Sequence, residues 1–322
     1  MPSNLKNPAP VKPVAWVVGA CLLAVYIVWG TTYFAIKVAI QGIAPFFLVG
    51  TRFVAAGVLM LGWQALRGAP APTARQWGGA ALVGFLLLVV GNGAVSVAEH
   101  WVSSGATVAL ISIMPLATAL WCGTFGEWPR RGEWIAIALG GAGAAVMLLG
   151  RDLQGNIIGT LLILFGTISW SLGTVLSRRL DIPHGPTGFG AEMLTAGLMG
   201  LVISAALGEH WTIPHVAHVW WAWGYLVVFG SLIAFSAYRF VVERVSASLA
   251  ATYAYVNPPV ALAVGWWLGN ESFSANVLVG LPVVLGAVAL HAWLQTRDTP
   301  QVPASVSRAG APILPSQARS KP

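Results

Sequence analysis

Ten long apolar stretches leave this chain little choice of fold. They run over residues 17–36, 46–66, 77–98, 104–125, 134–150, 157–176, 188–207, 219–238, 247–268 and 277–294. A bilayer core about 30 Å thick takes about 20 apolar residues in helix. Backbone amides in lipid must be satisfied internally, so runs of this length read as helices. Only 8% of the 322 residues are charged, against about 25% in a soluble domain. The expected fold is therefore an all-α membrane protein of ten transmembrane helices. No cleavage site follows a short apolar core after residues 1–13, so the first run is expected to stay as a span.

Lysine and arginine give the orientation. With the N-terminus placed inside, only Lys37 and Arg151 of the 17 basic residues fall outside, and Arg52 falls within a span. This alternation follows the positive-inside rule and requires an even number of spans, with both termini cytoplasmic. Trp77, Trp101, Trp128, Trp134, Trp211, Trp220, Trp221 and Trp293 lie near span ends, where an amphipathic ring suits the headgroup region. Trp29 and Trp170 lie deeper. The net charge of +7 is scattered singly and in pairs, so it does not mark a nucleic-acid surface. Cys21 and Cys122 sit in apolar runs, and a disulfide framework is not expected. His210, His215 and His218 fit no standard metal spacing. Gly141-x-Gly143 follows no strand and reads as close helix packing. No metal or cofactor is expected.

The chain repeats itself. Trp29 matches Trp170, Lys37 matches Arg178 and Pro45 matches Pro186, all 141 residues apart. Trp77 and Gly84 pair with Trp223 and Gly230 at 146, and Val102-Ser103-Ser104 and Pro115 pair with Val245-Ser246-Ala247 and Pro258 at 143. Glu127 and Glu271 follow the fourth and ninth spans. Each half holds five spans, an odd number, so the second half starts on the opposite side of the membrane. The expectation is two inverted five-helix repeats, 14–150 and 151–295, flanked by a cytoplasmic tail at 1–13 and a disordered one at 296–322. Inverted repeats are common in secondary transporters, with substrate sites near the midplane.

The Trp29-Gly30-Thr31-Thr32-Tyr33-Phe34 stretch, Arg52-Phe53, Pro115, Trp170 and Asn257-Pro258 together resemble the EamA-type branch of the drug/metabolite transporter superfamily, over about residues 14–295. The resemblance implies a bacterial inner-membrane protein that exports small polar or amphipathic metabolites, often amino acids, through a central cavity without ATP hydrolysis. The sequence agrees in lacking a phosphate-binding loop ending in Lys-Ser or Lys-Thr. Small four-helix relatives use an acidic residue deep in the first span; none stands there here, so that coupling mechanism is not carried over.

Polar residues inside apolar runs are the candidate site. Arg52 lies seven residues into the second span, where a charge costs a few kcal/mol or more. It either meets an anionic substrate group or ties neighbouring helices. Glu192 in the seventh span is a candidate for gating or proton coupling, or an interfacial residue favoured by the helix dipole. Trp29, Thr32 and Tyr33, with Trp170 in the sixth span, offer rings and hydroxyls to an amphipathic substrate; helix packing is the alternative. Asn92, Tyr238, Tyr253 and Asn257 need polar partners in lipid and are counted with the substrate-binding set. Pro115 and Pro258 each free a carbonyl and are candidate gating kinks.

These features favour a secondary transporter for a small-molecule substrate, working among membrane lipids as a monomer or homodimer. A channel-like pore remains an alternative. An intramembrane enzyme fits poorly, because no two ionisable residues lie deep in neighbouring spans. A receptor or scaffold fits poorly as well, since there is no large soluble domain.

Overall fold

The computed structural model describes residues 15–126, 128, 131–148, 156–212, 214–242, 253–270, 272 and 275–297. The expectations for the tail at 1–13, for the tail beyond Arg297, and for Glu127, Arg151, Val245-Ser246-Ala247 and Glu271 lie outside these residues. Thr296 and Arg297, expected in the disordered tail, instead end the helix Ala275–Arg297.

Helices fall on the apolar stretches. They are α1 (Ala15–Ala39), α2 (Pro45–Leu66), α3 (Ala74–Ala98), α4 (Ser104–Thr124), α5 (Arg131–Leu148), α6 (Ile157–Ser177) and α7 (Pro186–Ala206). Next, α8 runs as Ala217–Tyr225, Leu226–Ile233 and Ala234–Val242; α9 is Tyr253–Gly269 and α10 is Ala275–Arg297. No strand occurs among the described residues. Among the described residues, seven helices, α1 to α4 and α6 to α8, are long and apolar enough to cross a membrane. The apolar parts of α5 and α10, Trp134–Gly143 and Ala275–Ala287, are shorter.

Local chemistry sets the helix ends. Pro45 and Pro186 open α2 and α7 at the position where a missing amide costs nothing. Thr73 and Gln76 form a capping box at the start of α3. Glu209 satisfies the free amides at the start of α2: its two carboxylate oxygens accept from Phe46 N at 3.1 Å and Phe47 N at 2.9 Å.

Glycine contacts show how the halves meet. In α2 and α7, Gly50 lies against Leu201, Gly57 against Leu194, and Gly190 against Leu61. Numbers rise in one helix as they fall in the other, so these repeat-equivalent helices cross antiparallel. In α5 and α10, Gly132 meets Leu294, Gly140 meets Ala287 and Gly143 meets Val284, again antiparallel. The remaining packing obeys the same exchange: α1 packs on α8 and α9, while α6 packs on α3 and α4. In these two pairs the equivalent helices run in opposite directions.

A second relation between the halves is a π-helical segment inside each of α3 and α8, at Phe85–Gly91 and Leu226–Ile233. They start 141 residues apart, the offset that relates Trp29 to Trp170. The 146-residue pairing of Trp77 with Trp223 is therefore not the register of these helices. The proline helices, by contrast, differ. The helix α4 breaks at Ser112 and Ile113, where tighter bonds such as Leu116 N to Ile113 O take over, and Pro115 sits at the start of the resumed helix. No break interrupts α9, which stays helical through Pro258 and Pro259.

Candidate functional site

Two cavities lie on the seam between the halves. The inner one, about 70 Å³, draws Trp29, Thr32 and Tyr33 from α1, Arg52 from α2 and Asn92 from α3. Trp170 from α6 and Tyr253 from α9 complete the predicted residues in its wall. The outer one, a vestibule of about 670 Å³, opens beside the α6–α7 connection and is walled in part by Arg178, His184, Glu192 and Tyr238. Trp170 and Phe235 border both cavities.

Arg52 is 4% exposed. Its Nε donates to Ser231 Oγ at 3.0 Å, and Ser231 Oγ donates in turn to Leu226 O at 3.0 Å within the π segment of α8. The guanidinium is thus held from the opposite repeat while it borders the inner cavity. Gly230 makes this approach possible, since a Cβ there would stand 3.1 Å from Arg52 Nη2 and 3.0 Å from Thr32 Cγ2.

Trp29 belongs to the same junction. Its indole Nε1 donates to Gly230 O at 3.3 Å, and its ring lies 5.1 Å from Phe235, 5.0 Å from Tyr238 and 5.1 Å from Tyr253. The opposite half mirrors this. Ser169, beside Trp170 on α6, donates to Leu86 O in the π segment of α3 at 2.9 Å, and Gly91 gives Trp170 its close approach. The first helix of each repeat therefore reaches a π-segment carbonyl of the other. A π turn disturbs the regular backbone ladder and is often found at functional positions.

The other predicted residues divide. Thr32 Oγ1 donates to Trp29 O at 2.7 Å, inside its own helix. Asn257 is buried and borders neither cavity; with its amide turned to donate, it reaches Tyr26 O at 3.1 Å and Tyr253 O at 3.2 Å. It joins α1 to α9. Pro115 and Pro258 also border neither cavity. Glu192 and Tyr238 belong to the vestibule, and Glu192 is 5% exposed.

Sequence reasoning passed over three residues. Ser231, a lone hydroxyl in an apolar run, anchors Arg52. Phe235 has no polar signal and is visible only as the wall between cavities. Glu99, at the end of α3, is 1% exposed, although hydropathy places it at a span boundary. Among the described residues, no group of three or more metal-ligating side chains comes together.

Comparison with known proteins is decisive at the level of family. The sequence pattern of the EamA-like transporter family matches twice, over residues 15–149 and 157–293. The chain belongs to the EamA-like transporter family. Among EamA relatives, the inner membrane transporter YedA of Escherichia coli (strain K12) is 43% identical over 270 residues, covering 84% of this chain and 88% of YedA. A WAT1-related chloroplastic protein of Arabidopsis thaliana is 26% identical over 292 residues, covering 84% of this chain and 68% of its own. A solved crystal structure aligns with a TM-score of 0.65 at 19% identity over 87% of this chain and 99% of that one, a likeness of fold. The two matches fall on α1–α5 and on α6–α10, and the family and the relatives' names make this a membrane transporter.

Proposed function

We propose that the chain is a secondary transporter that exports small amphipathic metabolites bearing an anionic group, such as amino acids. All ten helical segments cross the bacterial inner membrane in this reading, with both termini cytoplasmic. One observation carries it: the inner cavity lies between inverted repeats and presents a guanidinium, Arg52, fixed by Ser231 of the opposite repeat. A carboxylate suits that guanidinium, and the rings of Trp29 and Trp170 suit an apolar body. Rocking of the halves about this seam gives alternating access.

The test is counterflow of labelled amino acids in proteoliposomes. Saturable exchange that Arg52→Ala reduces more than tenfold, with equal amounts of protein inserted, supports the reading. Absence of flux for every small metabolite tried overturns it, and non-saturable flux without counterflow makes the protein a pore. An imposed pH gradient in the same vesicles tests proton coupling.

A further inference from the structure

The inner cavity limits its contents in size and in chemistry. Each water needs about 10–15 Å³ of such space, so about 70 Å³ admits about five to seven waters, or one organic molecule of up to about ten non-hydrogen atoms. Trp170 and Phe235 set that limit on the vestibule side, since both rings border both spaces. Each ring is backed by protein. Trp170 packs on Gly91, where a Cβ would stand 2.8 Å from its Cε3, and Phe235 meets Trp29 at 5.1 Å between ring centres.

Much of the polar wall is already spent. Thr32 and Thr167 donate to Trp29 O and Ile163 O in their own helices, and Trp29 donates to Gly230 O. Arg52 and Asn92 differ. Arg52 uses its Nε on Ser231, while Nη1 and Nη2 bond to none of the described residues. The Asn92 amide, on the first residue after the π segment of α3, bonds to none of them either. Both groups keep open surface instead of being sealed in protein.

Free guanidinium nitrogens suit a carboxylate. An amide in the same small wall can donate to, or accept from, a second polar group close to that carboxylate. A site built this way binds poorly when the second group is missing, because its own polar atoms go unpaired. We propose that the inner cavity selects small carboxylates bearing a hydroxyl or ammonium group on the neighbouring carbon, with Asn92 reading that group and with Trp170 and Phe235 as the size filter. The inference rests on the transporter reading for the cavity's role as cargo site, and it narrows the cargo to short-chain 2-hydroxy and 2-amino acids.

Binding needs no flux, so it is measured at equilibrium on the full chain in lipid nanodiscs, by ligand-observed NMR with empty nanodiscs subtracted. The probes are L-lactate, L-alanine, propionate, which lacks the second polar group, and indole-3-lactate, which exceeds the size limit. Lactate or alanine is expected to bind about tenfold more tightly than propionate, and whichever does so identifies the second group. Indole-3-lactate is expected to bind about tenfold more weakly than lactate, although its ring adds apolar surface. Asn92→Leu is expected to abolish the preference over propionate, and Arg52→Ala to weaken every acid. Trp170→Ala joins the cavity to the vestibule and is expected to strengthen indole-3-lactate about tenfold, a gain that misfolding does not produce.

Propionate binding as tightly as both lactate and alanine, or indole-3-lactate binding as tightly as lactate, overturns the proposal; the unmodified protein decides both. So does a polar preference that survives Asn92→Leu, or a folded Trp170→Ala that still excludes indole-3-lactate. Counterflow of bulky amino acids without binding of the small acids would keep the transporter reading and sink this one. The size limit and polar preference intact in a protein that moves no metabolite would sink the transporter reading and leave this site standing.

Discussion

Arg52 and Ser231 come from opposite repeats and meet at 3.0 Å, Nε donating to Oγ. A buried charge is thereby oriented by the π segment of α8, and the seam between halves becomes part of the site rather than its boundary.

Ser231→Ala removes that anchor and leaves the charge in place. A hydrogen bond between membrane helices is worth about 1 kcal/mol, so the half-saturating cargo concentration is expected to rise about fivefold with little change in maximal rate. Ser231→Thr, which keeps the hydroxyl, is expected to recover most of the loss. Flux titrations in proteoliposomes read both; an unchanged half-saturation in Ser231→Ala would remove the anchoring role.

Trp29→Phe keeps an aromatic ring beside Phe235, Tyr238 and Tyr253 but cannot donate to Gly230 O. The freed carbonyl lies in the π segment. Faster amide exchange across 226–233, with α2 and α7 unaffected, is the expected result by hydrogen-exchange mass spectrometry. Equal protection in both proteins would show that the indole does not stabilise the segment.

Gly57→Leu strikes the crossing of α2 and α7. A Cβ at Gly57 would lie 2.5 Å from the backbone N of Leu194, and backbone cannot yield as a side chain does. Overpacking of this kind costs about 1–3 kcal/mol. The expected outcome is a lower melting temperature in detergent and reduced yield, whereas Gly62→Leu, with open space around its Cβ position, melts near the parent. Identical melting of the two variants would contradict the packing described.

Glu209→Gln tests the cap on α2. The carboxylate accepts from two amides at a helix start, a charge favoured by the helix dipole. A stability loss of about 1 kcal/mol is expected, read by thermal unfolding, with the half-saturating cargo concentration unchanged. A shifted half-saturation with unaltered melting would mean that Glu209 acts on cargo instead.

Much of this architecture is legible in the residues. Apolar runs of bilayer length give the helices, and the 141-residue spacing of Trp29 and Trp170 gives the duplication. A polar group inside such a run must face something, which is why Arg52, Asn92 and Tyr253 point to the inner cavity. The same logic cannot separate a cavity wall from a helix–helix bond, so Asn257 resembled them and instead joins α1 to α9. Proline gave no better guide: Pro115 follows a break, while Pro258 lies in an uninterrupted helix. The π segments are not legible because Phe85–Gly91 and Leu226–Ile233 are ordinary apolar sequence; their carbonyls at Leu86 and Gly230 accept bonds from the other half, a relation between residues far apart in the chain. Phe235 was hidden for a related reason, since nothing in an apolar residue tells whether it meets lipid, protein or empty space.

The widened turn of α3 has a consequence for the angular phase of the helix beyond it. Each α-helical residue advances the azimuth by about 100°, and a π turn spends one residue more than an α turn to complete a revolution. Asn92 follows the segment directly, so its bearing is set by that surplus. Tightening 85–91 to regular α-helix at unchanged length would swing Asn92, Val95 and everything after them by about a quarter-turn, pointing a different row of side chains at the same void, and excising the surplus residue as well would bring them back.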